Sequence, residues 1–387
     1  MALLSDRGTG TSHLLHMPAH IYLRVGRYQD AVASSVKAIQ ADNMYVQKCL
    51  VPYVPLHNIA MLVAASLLSA SFVGALEYSP FTTTSTPDMA AVHLPALFPS
   101  PTDIILARMG KWQDIINIFN QAAEVPSIED GQFDKSDLLR VRKSKSDRYL
   151  LRSGDSGGRV LGVDPPQVLR PPYIQAMQAY TQTLAHLGLN DLKSGMESLD
   201  ALSASVDSIP YDALPLGHPF YPYHHEIGEL FLAIGKAAYL LKNGGITKEK
   251  SEVAVDGAIV EMVAAVRIQS SFSYMEPEHF YLPTRQCLGA LLLKKLSLNN
   301  KHGGGDKALR ESLIFEAINV YTVDLHDHPN NIWSLKGLQN AYALAEDSGI
   351  TIVGKLLTLQ TSMDAAVQYA SEEFKNITGS CCELSLC

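Results

Sequence analysis

Apolar residues in this chain recur every three or four positions, in stretches separated by short polar or glycine-bearing breaks. That is the spacing of amphipathic helices. Leu14–Val25 and Tyr28–Gln40 are two such stretches, parted by Gly26. A glycine suits a turn between packed helices because it takes positive φ without a steric penalty. The layout recurs. Ala70 parts two apolar stretches and precedes Phe72; Gly110 precedes Trp112; Asn190 marks a break between Tyr173 and Leu202. Near the end Pro329 closes a helix and Asn330 opens the next unit, with Trp333 and Gly337 following. Small or slim residues (Ala19, Ala31, Ala38, Val63, Ala75, Ala122, Gly195) stand where two helices of one unit must approach. Units of this kind, spaced like repeats of about 34 residues, predict an all-α solenoid of helix–turn–helix pairs. Alternating β-branched runs, the mark of strands, are missing.

The array covers 1–387 as a single domain with loops inside it. Val125–Pro172 reads as a charged loop insertion, Ser208–Pro222 as a Pro- and Tyr-rich loop, and Leu296–Asp306 as a third loop around Asn299-Asn300 and Gly303–Gly305. Residues 376–387 read as a flexible tail. Ile59–Leu76 carries no charge over 18 residues, a length at which a membrane span becomes a candidate. Its serines and alanines, and a break at Ser69-Ala70-Ser71, favour two short buried helices instead.

With 47% hydrophobic and 18% charged residues the chain has ample material for a core. A net charge of −8 argues against a dedicated nucleic-acid binder. No basic and apolar leader opens the sequence. The five cysteines are odd in number, and three fall at Cys381, Cys382 and Cys387. That usage predicts reduced thiols and a cytoplasmic protein.

A resemblance rests on His16-Met17-Pro18-Ala19-His20-Ile21-Tyr22-Leu23-Arg24-Val25-Gly26-Arg27-Tyr28 and on His57-Asn58. It continues in Tyr274-Met275-Glu276-Pro277, Tyr281, Pro283, Arg285 and Leu288-Gly289-Ala290. It ends with Val320-Tyr321, Asp324-Leu325, Pro329-Asn330, Trp333-Ser334-Leu335 and Gly337-Leu338. These stretches resemble a family of tetratricopeptide-repeat proteins marked by a His-Met-Pro-x-His-Ile-Tyr motif. The resemblance implies a right-handed tetratricopeptide-like superhelix and carries no settled biochemical role. Family members typically have further repeats ahead of the motif, so the resemblance also implies a short or truncated member, whose first helix would then lack a stacking neighbour. This chain departs from the family at Ser69-Ala70-Ser71, where charged residues are usual, and in the length of the Val125–Pro172 insertion.

His13, His16 and His20 are the sharpest candidates for chemistry. Spacings of three, four and seven place them on one face of an unbroken helix. Imidazoles so placed are what Zn, Cu, Ni or non-haem Fe require. Pro18 opposes this: were it the first helical residue, His13 and His16 would lie in the lead-in segment. His57 opens the first helix of the next unit and belongs on the same inner surface. No HExxH pattern supplies a general base, and histidines that cap helices or bridge the stack are the structural alternative. A second group is Glu276, Glu278, His279, Tyr281 and Arg285. Here Arg285 either pins Glu276 in an ion pair or receives an anionic ligand beside Tyr281. His225 and Glu229 are four apart on a helix, either a metal pair or a simple i,i+4 surface pair. The basic stretch Arg140, Arg142, Lys143, Lys145, Arg148 and Arg152 is interleaved with acids and reads as a solvated loop.

No Walker A loop, dinucleotide fingerprint, nucleophile elbow or CxxC pair occurs, so no catalytic residue is assigned. The expected function is a repeat scaffold that holds a partner protein or peptide in a concave groove. Its binding residues would include His20, His57, Asn58, Glu276, Tyr281 and Arg285; no cofactor, nucleic acid or membrane is required. The alternative is a metal-binding protein or metal-dependent enzyme with one transition-metal ion on His13, His16 and His20.

Overall fold

The computed structural model describes residues 11–50, 52, 55–78, 101–123, 172–213, 224–245, 248–300, 306–350, 352, 355–375, 377–382 and 384–386. The charged insertion, including its basic stretch, lies outside them. The described chain is all-helical: α1 (Ser12–Arg24), α2 (Tyr28–Gln47), α3 (Pro55–Leu68), α4 (Phe72–Tyr78), α5 (Pro101–Arg108), α6 (Trp112–Ala123), α7 (Pro172–Gly188), α8 (Leu192–Asp207), α9 (His224–Asn243), α10 (Lys248–Ser271), α11 (Thr284–Asn300), α12 (Lys307–Asp327), α13 (Ile332–Asp347), α14 (Lys355–Val367) and α15 (Glu372–Lys375). No strand occurs among the described residues; an isolated bridge joins Cys381 and Leu386.

The breaks at Gly26, Ala70, Gly110 and Asn190 are turns between paired helices; glycine and asparagine suit the conformation, while Ala70 adopts it against its residue preference. Each has positive φ: 71°, 52°, 68° and 63°. In each turn the next N–H reaches back five residues, Arg27 to Tyr22 O at 2.8 Å, and Ser71 to Ser66 O, Lys111 to Leu106 O and Asp191 to His186 O at 2.9 Å. These bonds satisfy carbonyls that the ending helix leaves open. Gly26 has a second reason to be glycine. A Cβ there would lie 2.0 Å from Pro329 O.

From α1 to α14 each helix packs on the next in sequence, and α1 also meets α3, α3 meets α5, α5 meets α7, α7 meets α9 and α11 meets α13. Small residues allow these approaches: the Tyr321 ring rests on both Gly289 and Gly337. One buried apolar cluster extends from Ile39 to Leu384. The uncharged run splits into α3 and α4 at Ser69-Ala70-Ser71, and no helix among the described residues is long and apolar enough to cross a membrane.

The first helices sit against the last. Trp333 Nε1–H donates to Leu67 O at 2.8 Å, Arg108 lies over the Trp333 ring at 3.8 Å, and Ser371 Oγ accepts from the Phe72 N–H at 2.8 Å. Asn330 donates to Gly26 O and Arg24 to Asp327 O, each at 3.4 Å. This apposition brings the segment before α11 alongside α1.

Three expectations change. Leu296–Asn300 continues α11 instead of forming a loop, because Leu296 is buried and holds the helix to the core; residues 301–305 lie outside the described set. The C-terminal segment is not frayed where it is described. Ser380, Cys381, Cys382 and Leu384 are buried, and Ser380 Oγ stands 2.6 Å from the Tyr321 hydroxyl. The thiols are not all reduced either. Cys381 is disulfide-bonded to Cys287 in α11, Cys382 is also disulfide-bonded, and Cys49 is a free, exposed thiol.

Candidate metal centre

Helix α1 runs through Pro18 without interruption. Proline costs the bond its N–H would have made to the Leu14 carbonyl, yet the helix persists because Leu15, Ala19 and Leu23 bury one stripe against α2 and α3. His16 and His20 therefore stand one turn apart on the same side. Helix α3 contributes His57 three residues into its first turn. Asn58 beside it donates to Asp42 Oδ2 at 2.6 Å, a buried tie from α3 to α2 that orients this end of the helix.

The three imidazoles converge. One nitrogen from each of His16, His20 and His57 lies within 4.8 Å of the others. His16 Nε2 is 2.8 Å from His20 Nε2, and His57 Nε2 is 3.4 Å from His20 Nε2. Two nitrogens each about 2.0–2.1 Å from one ion stand about 2.9 Å apart at a right angle and about 3.4 Å apart at the tetrahedral angle. The observed separations match those two values.

Glu276 completes the arrangement from behind. Its Oε2 accepts from His20 Nδ1–H at 2.7 Å. That bond fixes the His20 tautomer, leaving the Nε2 lone pair pointed at the other two rings. Tyr274 donates to Glu276 Oε1, and Arg24 Nε is 3.8 Å from the same oxygen. Burial pushes the Glu276 carboxyl up, but the hydrogen bonds from His20 and Tyr274 and the nearby His20 and Arg24 charges outweigh it, so it stays ionised. His16 is fully buried. Burial, then His57, His20 and His13, lowers its pKa to about 2. Burial, then His20 and His13, lowers His57 to about 4 against the pull of Glu276. Both rings are thus held neutral, the state a metal ligand needs. His16 Nδ1 is buried with no hydrogen-bond partner.

His13 stands outside the converged set, its ring stacked on His16 at a centroid distance of 6.0 Å. Arg285 does not pin Glu276. It pairs with Asp327 at 3.5 Å and donates to Ser270 at 3.0 Å, because Glu276 faces α1 instead. Tyr281 is buried and lines a small open cleft beside Glu276, Glu278, Arg24 and His328. His225 Nε2 lies 3.8 Å from Glu229 Oε1 on α9, a helix apart from those that carry this site.

Sequence reasoning missed a second buried network. His328 bonds Asp324 Oδ1 at 3.1 Å and Glu278 Oε1 at 2.7 Å. Asp324 also accepts from Ser334, Asn331 and Gln286. Burial disfavours the His328 cation, but Asp324 and Glu278 overcome it and raise its pKa well above the usual value. The i,i+4 spacing of Asp324 and His328 was the available signal. The Glu276-Pro277-Glu278 segment thus sends one carboxylate to the histidines of α1 and the other to the end of α12. No family model matches the chain, and neither curated proteins nor solved structures yield a match.

Proposed function

We propose that this chain is a transition-metal-binding protein whose ion is held by His16, His20 and His57, with Glu276 supporting His20 from the outer sphere. One observation carries this reading: the Nε2 atoms of His16 and His57 meet that of His20 at ligand spacing while Nδ1 of His20 is tied to a carboxylate. A carboxylate–histidine pair of this kind orients a ligand and raises its basicity. Neutral, desolvated imidazoles whose nitrogens face one another gain from an ion that all of them can ligate.

The frame is read as a tetratricopeptide-like repeat. The four alike turns and the contacts between first helices of successive pairs support it. A partner-binding groove rests on that fold by analogy alone. The metal reading rests on side chains of this chain and is preferred.

The test is elemental mass spectrometry of tag-free protein, with a His16→Ala/His57→Ala variant as control. About one equivalent of a late first-row metal, lost in a variant that keeps its helical circular dichroism, supports the reading. A folded wild-type protein that takes up none of Co²⁺, Ni²⁺, Cu²⁺ or Zn²⁺ on addition contradicts it.

A further inference from the structure

Three imidazoles leave a fourth corner of a tetrahedral site to be filled. An ion with three protein ligands and one exchangeable position can do chemistry on a substrate; an ion with four protein ligands holds structure or is carried. Glu276 is poorly placed for that corner. It lies on the Nδ1 side of His20 and is held there by His20, Tyr274 and Arg24.

His13 is well placed. It sits one turn before His16 on the same face of α1. Its ring is near-parallel to that of His16, at 26° and 6.0 Å between centroids. Its Nδ1 is shielded from solvent although the residue is only half-buried. A change of side-chain rotamer, with no backbone motion, moves an imidazole nitrogen by several ångströms.

We propose that His13 supplies the fourth imidazole, making a closed four-histidine site selective for late first-row divalent ions. The inference rests on the metal reading above and decides its character. Imidazoles alone suit Co²⁺, Ni²⁺, Cu²⁺ and Zn²⁺, whereas Mg²⁺ and Ca²⁺ require oxygen ligands. Four neutral rings leave the ion's two charges unbalanced, and the ionised Glu276 one ring away offsets one of them.

Co²⁺ is the probe, added to the full tag-free chain, with azide as the competing small ligand. In wild-type protein the visible bands of four-coordinate Co²⁺ are expected and do not move with excess azide. In His13→Ala, Co²⁺ binding weakens by at least about tenfold, and azide shifts the bands by replacing a water at the opened position. His13→Asn, which keeps a polar side chain, serves if the alanine variant unfolds and is expected to respond in the same way. Azide-sensitive bands in the wild type, with unchanged affinity in both variants, would overturn the closed site and leave a three-histidine centre standing. A folded wild type that binds no Co²⁺ overturns the metal reading itself, and this inference with it.

Discussion

His20 Nδ1–H donates to Glu276 Oε2 at 2.7 Å across 256 positions of sequence. The bond links α1 to the segment before α11 and sets which nitrogen of His20 faces His16 and His57. Outer-sphere carboxylates of this kind typically contribute about 10–100-fold to metal affinity. Glu276→Gln preserves shape and an acceptor oxygen but removes the charge. It is expected to weaken Zn²⁺ binding within that range, measured by competition with a chromophoric chelator. An unchanged dissociation constant would show that Glu276 does not support the site.

Acid and base should destabilise the metal-free protein for different reasons. His16, His57 and His279 titrate near 6.5 when unfolded but at about 2, about 4 and about 4 when folded, burial being the first cause in each. Below pH 6.5 the unfolded chain therefore binds more protons, and stability falls as pH falls. His328 is reversed. Its folded pKa is raised well above 6.5 by Asp324 and Glu278 against burial. Its contribution is full below 6.5 and is lost as pH rises through the folded value. The thermal midpoint of metal-free protein should peak near pH 6.5. His328→Gln should flatten the alkaline limb and, by leaving Asp324 buried without its cation, cost about 3–5 kcal/mol at the peak. A midpoint that climbs steadily from pH 5 to 9 contradicts this account.

Gly26 and Gly349 separate backbone conformation from contact. Both have positive φ, 71° and 74°. A Cβ at Gly349 meets nothing within 4 Å, whereas one at Gly26 lands 2.0 Å from Pro329 O. Gly349→Ala should cost about 1–2 kcal/mol, the ordinary penalty of a left-handed non-glycine residue. Gly26→Ala should cost at least about 2 kcal/mol more, since the Pro329 backbone must yield. Equal losses by urea denaturation would mean that α1 does not rest on Pro329.

Thiol chemistry gives an independent check on the C-terminal segment. Cys49 should react with a thiol reagent in the folded, unreduced protein, while Cys287, Cys381 and Cys382 should not. Removing a native disulfide that closes a long loop typically costs about 2–5 kcal/mol, so Cys287→Ser should lower the thermal midpoint. Modification of Cys287 and Cys381 in mass spectra of unreduced protein would refute the pairing.

Much of the helical layout was legible. Gly26, Gly110 and Asn190 announced turns because the left-handed conformation leaves few residue choices there, whereas Ala70 was placed only by the spacing of the repeats. His16 and His20 were legible as a pair because helical spacing is a local property, and α1 survives Pro18 because its buried stripe outweighs one missing bond. What failed was most of what is fixed by apposition of distant segments, although His57 was placed on the inner surface with His20. Spacing favoured His13 over His57, since His57 reaches the site only through the packing of α3 on α1. The Arg285–Glu276 pairing was plausible in sequence, but Glu276 is taken by His20 and Arg285 by Asp327. Asn299-Asn300 looked like a turn, yet burial of Leu296 carries α11 through to Asn300. The disulfide joins residues 94 positions apart, and an odd cysteine count says nothing about such a pair.

Anomalous diffraction at a metal edge tests the central claim most directly. Crystals grown with one equivalent of Zn²⁺ should show a peak about 2.0–2.1 Å from the Nε2 atoms of His16, His20 and His57. A fully loaded crystal whose peak lies elsewhere, with these three rings unligated, would contradict it.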